Sequence, residues 1–189
     1  MIYNTLLLLN IIIFIIELID RSVIYAFGFI PERALIEPWR FVTGMFLHGG
    51  LIHLFFNMFV LYSVGRLIEP RIGSEEFLKM YLLAGIAGNF LFLIIAYAGF
   101  IPKDTIGIGA SGAIAGLLGA AYVFYPYITI LLFFIIPIPM YVFFFLYLII
   151  EFLGIFTMNY TGIGSAAHLG GALFGYFYSN HIKERERYW

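Results

Sequence analysis

The chain contains no cysteine, which excludes disulfides, thiolate nucleophiles and cysteine-held metals and leaves the redox compartment unread. Charge is almost as scarce: only 11% of the 189 residues are Asp, Glu, Lys or Arg, against about 25% in ordinary soluble domains. With 10 basic and 11 acidic residues the formal net charge is -1. There is no basic field to hold a nucleic acid, and no nucleic-acid partner is expected. Internal repeats are missing as well. Within the long apolar stretches the acidic residues reduce to Glu17 and Glu151, each near the end of its run.

What is present is apolar. Hydrophobic residues make up 63% of the chain and aromatics 20%, and the mean hydropathy is +1.00. Apolar runs recur at about 4–19, 51–68, 77–100, 111–126, 138–153 and 163–180, each near the length of about 20 residues that crosses a bilayer as a helix. This pattern predicts an all-α integral membrane protein, a six-helix bundle filling residues 1–189 as one domain with no soluble domain. The first run has no basic residue before it and no small-residue cleavage site after it, so it reads as a retained span and not a removable signal peptide. The longest polar stretch, Asp20 to Gly50, follows it; Gly73-Ser74 marks a turn, and Pro137 and Pro139 open the fifth run after a short interfacial stretch, Leu131 to Ile136. The connector Gly154 to Gly162 leads into the sixth, and the tail Lys183 to Arg187 closes the chain.

Orientation follows from the basic residues. With both termini in the cytoplasm, Arg66, Arg71, Lys79, Lys183, Arg185 and Arg187 lie inside against Arg21, Arg33, Arg40 and Lys103 outside, the excess that the positive-inside rule asks for. A multi-pass protein of the cell membrane is expected, with the lipid bilayer as its surroundings.

The second, fourth and sixth runs then point the same way, and each carries polar residues near its start. His48, His53 and Asn57 belong to the second, Ser111 to the fourth and His168 to the sixth; at 1.5 Å per residue all five fall within roughly the outer third of the bilayer. Polar side chains at that depth are costly and usually face a bundle interior or a watery cavity. Ser111 stands in Gly107-Ile108-Gly109-Ala110-Ser111-Gly112-Ala113-Ile114-Ala115-Gly116. A helix start offers unpaired N–H groups to a developing oxyanion. The same small residues also suit tight helix packing, with Gly112, Gly116 and Ala120 spaced for it.

The chemistry these residues can do is acyl transfer. A neutral imidazole can take the proton of a serine hydroxyl, so Ser111 and His168 make a nucleophile and base. The Ser111 N–H, the Asn57 amide and the His48 ring are candidate oxyanion donors. Neither Glu17 nor Glu151 has a spacing that ties it to His168, which favours a dyad over a triad. A metal is the competing use of three histidines, but His48 and His53 are five apart with no acidic residue beside them, a poor zinc pattern. Neither metal nor cofactor is expected.

These residues resemble the motifs of rhomboid intramembrane serine proteases. Gly109-Ala110-Ser111-Gly112 is similar to the family's G-x-S-G, Ala167-His168-Leu169-Gly170-Gly171 to its A-H-x-x-G, and His48 to Asn57 to its H-x-x-x-x-H-x-x-x-N. Trp39-Arg40 resembles its W-R pair, and Glu69 with Gly73 its E-x-x-x-G. The resemblance implies a Ser111 nucleophile and a His168 base. It implies oxyanion binding by His48, Asn57 and the Ser111 backbone, with His53 as a supporting polar residue. It places Trp39 and Arg40 in a loop dipping into the outer leaflet, where an interfacial anchor is the alternative, and has Glu69 tie the inner connector. The implied substrates are single-span membrane proteins, cut within or just above the span. One departure is Ala115: family members commonly place an aromatic there against the catalytic histidine, so its absence implies a looser His168. Two other classes fit a polytopic chain. One is an inactive rhomboid-like binder of membrane clients, which would lack the serine and histidine. The other is a transporter, which would show repeats and paired broken helices.

Overall fold

The computed structural model describes residues 1–132, 135–157 and 162–186. Arg187 of the charged tail, residues 133–134 of the interfacial stretch and residues 158–161 of the last connector lie outside them. Helix α1 spans Ile2–Ile19, and the long polar stretch folds into short helices α2 (Ser22–Phe27), α3 (Pro31–Ala34) and α4 (Arg40–Thr43) and a 3-10 turn at Gly44–Phe46. Then come α5 (Leu51–Ile72), α6 (Ser74–Tyr97), α7 (Ser111–Phe124), a hairpin of β1 (Thr129–Leu132) and β2 (Ile136–Pro139), α8 (Met140–Phe156) and α9 (Gly162–Glu186).

Two sets of bonds fix how the long helices run. At one end of the bundle Glu69, in the last turn of α5, accepts the backbone N–H of Ile2 (2.8 Å) and Tyr3 (2.9 Å) and the Ser74 hydroxyl (2.6 Å). A carboxylate there satisfies donors that a helix start leaves unpaired and complements its dipole. Gly73, at φ +84°, is the single residue between α5 and α6, a backbone that glycine adopts at little cost. The far end of α9 reaches this end too, through the Arg71–Glu186 ion pair and a hydrogen bond from the Tyr178 hydroxyl to Glu76. Lys183 caps the Val123 carbonyl in the last turn of α7. Arg71 holds the Glu186 carboxyl below the usual carboxylate range by its hydrogen bonds. At the opposite end, Glu17 of α1 accepts the His48 N–H with both carboxylate oxygens at 3.1 Å, so α1 and α5 are antiparallel.

The helix boundaries depart from the apolar runs where capping chemistry takes over. Helix α6 starts three residues early because Glu75 and Glu76 suit a first turn and closes at Tyr97, shortly before Gly99 at φ +88°. Helix α9 continues six residues beyond its apolar run and into the charged tail, whose Lys183 and Arg185 suit a last turn. The interfacial stretch proves to be part of a β-hairpin pairing Thr129 with Pro139. Its prolines lie in a two-stranded sheet, where an N–H can be spared.

Among the described residues three helices, α1, α5 and α6, are long and apolar enough to cross a membrane by length and composition; α7 and α8 are shorter apolar helices of 14 and 17 residues. Helix lengths alone therefore do not establish the expected six crossings. At 14 residues α7 is roughly 21 Å long against a hydrocarbon core of about 30 Å. The core gathers on α7: Ala113, Ala115, Leu117 and Ala120 have no exposed surface.

Candidate active site

The polar loop between α1 and α5 is built around Arg40. Its guanidinium donates to the carbonyls of Tyr25 (3.0 Å) and Gly28 (2.5 Å) and pairs with Glu37, and the residue is 2% exposed. Trp39 points the other way and is half exposed, so the pair divides its labour between holding the loop and facing the surroundings. Phe29 and Gly107 exchange backbone hydrogen bonds of 2.9 and 2.8 Å, and the Gly109 N–H bonds to the Gly44 carbonyl at 3.0 Å. Asn89 of α6 adds a bond to the Phe41 carbonyl. Residues 106–109 are thereby pinned against this loop. Gly109 sits at φ +124°, and a Cβ on it would fall 2.8 Å from the His53 ring, so both backbone and space require glycine.

These constraints deliver Ser111 as the first residue of α7. Its hydroxyl opens on a cavity of about 250 Å³, whose walls include Gly109, Ser111, Gly112, His53, Asn89, Gly164 and His168. The starts of α5, α7 and α9 and the second half of α6 meet there. Among the described residues no group of three or more histidine or acidic side chains is placed to hold a metal ion.

The structure brings Ser111, His168, Gly109, Gly112 and His53 to one cavity wall, whereas His48 and Asn57, expected with the Ser111 backbone to bind the oxyanion, are not part of that wall. His48 is fully buried; its ring lies 5.1 Å from that of His53, centroid to centroid, and it is not part of the cavity wall. Asn57 is one turn below His53, and its amide donates to the His53 carbonyl at 3.0 Å. The cause is the turn at Gly49-Gly50, which places His48 under the loop against Glu17 while His53, on the first turn of α5, faces Gly109.

The expectation that no acidic residue reaches His168 is corrected. Glu151 Oε1 lies 2.9 Å from His168 Nδ1. The two are 17 residues apart on different helices, so no helical spacing could reveal the pair. A signal did exist: Glu151 is the one charged residue in α8, and an ionisable group at membrane depth is a site candidate by default.

Ala115 does not leave His168 without an aromatic neighbour. Tyr147 of α8 lies over the imidazole, with centroids 6.4 Å apart and planes 27° from parallel, so an aromatic neighbour comes from another helix. Ala115 itself is fully buried against Phe144 and Ala172, with Tyr147 packed on the same cluster. We therefore expect Ala115→Phe to lower stability by about 1 to 3 kcal/mol through overpacking and to slow turnover. A thermal melt alongside a cleavage assay checks this, and a faster, equally stable variant would contradict it.

Comparison with known families matches residues 36–184 to the Rhomboid domain. The chain is 36% identical over 161 residues to the Bacillus subtilis (strain 168) protein named rhomboid protease GluP, covering 84% of this chain and 29% of that one. It is 32% identical over 173 residues to the human mitochondrial presenilin-associated rhomboid-like protein, covering 88% and 43%. A shorter match, 37% over 83 residues, links it to the putative rhomboid protease YdcA of Bacillus subtilis (strain 168) and covers 44% and 39%. The chain thus spans less than half the length of these relatives.

Proposed function

Because this chain belongs to the rhomboid family, and so is a membrane protein, we propose that it is an intramembrane serine endopeptidase cutting single-span membrane proteins within or just above the span. The observation that carries the reading is that Ser111 and His168 line one cavity at the start of α7. His168 Nε2 takes the proton as Ser111 Oγ attacks the scissile carbonyl carbon. The tetrahedral intermediate then collapses as the imidazolium protonates the leaving amine. Water, activated by the same base, hydrolyses the acyl-enzyme. The oxyanion forms beside the Ser111 backbone N–H, which no side chain caps, and beside the His53 ring. In this reading His53 takes the donor role first given to His48. Asn57 and the buried His48 hold it there, and Glu69 and Arg40 keep the flanking connectors in shape.

The same reading has six crossings, with short α7 and α8 completed by their flanking loops, and both termini in the cytoplasm. The Glu69 and Glu186 bonds support the topology, since they gather the N-terminus, the α5–α6 turn and the α9 tail at one end. The test is a cleavage assay of the purified protein in detergent against a panel of single-span proteins, with fluorophosphonate labelling in parallel. Cleavage and labelling of Ser111 are expected. Client binding with neither would establish the inactive relative instead.

A further inference from the structure

Helix α8 is apolar from Met140 to Phe156 except for Glu151, whose side chain is only 12% exposed. A carboxylate in such surroundings is costly unless it is paired and hydrogen-bonded. Its partners are two groups of α9: the His168 imidazole at 2.9 Å and the Ser165 side chain. One turn earlier on the same face of α8, Tyr147 covers the imidazole. One helix thus grips both the edge and the face of the base.

We propose that Glu151 is a positioning residue for His168, converting the dyad into a chain of three in this protein; the proposal rests on the protease reading above. The carboxylate accepts the Nδ1–H, which fixes the tautomer with the lone pair on Nε2. That is the nitrogen needed to take the proton of Ser111. When the proton arrives, the imidazolium lies against an ionised carboxylate, and Nε2 later returns the proton to the leaving amine. Glu151 itself stays ionised throughout, and no other bond changes. Tyr147 limits tilting of the ring, and the bond to Glu151 limits its rotation.

Two measurements test this. Glu151→Gln keeps an acceptor of similar shape but removes the charge, whereas Glu151→Ala removes both. We expect kcat to fall about 10- to 1,000-fold in Glu151→Gln and at least as far in Glu151→Ala, with KM within about twofold of wild type. In a His168→Ala background neither change should matter further, because the residues act as one unit. The second measurement needs no turnover. In protein labelled with 15N-histidine at about pH 8, where an ordinary imidazole is neutral, the resonances lost in His168→Ala identify that ring. We expect wild type to show Nδ1 protonated and Nε2 bare, and Glu151→Ala to lose that preference. An unchanged tautomer in Glu151→Ala, or kcat within twofold of wild type, overturns the proposal. Absence of cleavage by wild type overturns the protease reading instead, and the nitrogen spectra still decide whether Glu151 orients His168.

Discussion

Ser111→Ala protein will fold like wild type and lose at least about a thousandfold in cleavage rate, because among the described residues no other hydroxyl in the cavity wall stands at a helix start. Removing either partner of a nucleophile–base unit costs about as much as removing both. His168→Ala should therefore fall to a similar floor, and the double variant no lower. Fluorophosphonate labelling should vanish with Ser111→Ala. Stability should hardly move, since the Ser111 side chain is half-buried at the cavity and, among the described residues, is hydrogen-bonded to no neighbour that would be stranded. Activity should also survive chelators, as a serine mechanism needs no metal. Substantial cleavage by purified Ser111→Ala protein would remove the nucleophile assignment, and inhibition by EDTA that zinc reverses would point to metal chemistry.

Much of this site was legible in the sequence because it is written in local terms. Ser111 and Gly109 lie two residues apart on one turn, and His53 and Asn57 are four apart on one helix face. Ser111 and His168 each stand near the start of an apolar run, and helix rise alone then puts them at similar depth. What the sequence could not show are meetings between helices at unrelated spacings. Glu151 and Tyr147 reach His168 from α8, and Glu17 reaches the backbone of His48 from α1. Their joining depends on rotation of each helix about its axis, which packing decides. The exchange of His48 for His53 at the cavity wall has the same origin, for the two-glycine turn between them gives no directional signal in sequence. Helix ends were misplaced by three to six residues where charged residues continued a helix beyond its apolar run. Helix capping and dipole chemistry can favour that, but hydropathy cannot see it.

The α7–α9 seam sets the distance between Ser111 and His168, and it will not accept one added methyl. A Cβ on Gly171 would fall 1.9 Å from the Gly112 carbonyl oxygen, and one on Gly175 would fall 1.9 Å from that of Gly116. Both obstacles are helix backbone, which cannot rotate aside as a side chain can. Gly171→Ala must therefore push the helices apart, and because Gly112 follows Ser111 directly while Gly171 lies three residues after His168, the separation opens at the reacting pair. We expect a loss of about 3 kcal/mol or more in stability. Cleavage in the surviving folded fraction should fall a hundredfold or so, the order expected when a base is misplaced by about 1 Å. Gly50→Ala is the matched control: its φ of 168° is extended backbone, and a Cβ there meets nothing within 4 Å. That variant should melt and cleave like wild type. If Gly171→Ala did so too, the seam would be looser than its backbone contacts require, and the register of Ser111 against His168 would have to be set elsewhere, by the grip of α8 on the imidazole.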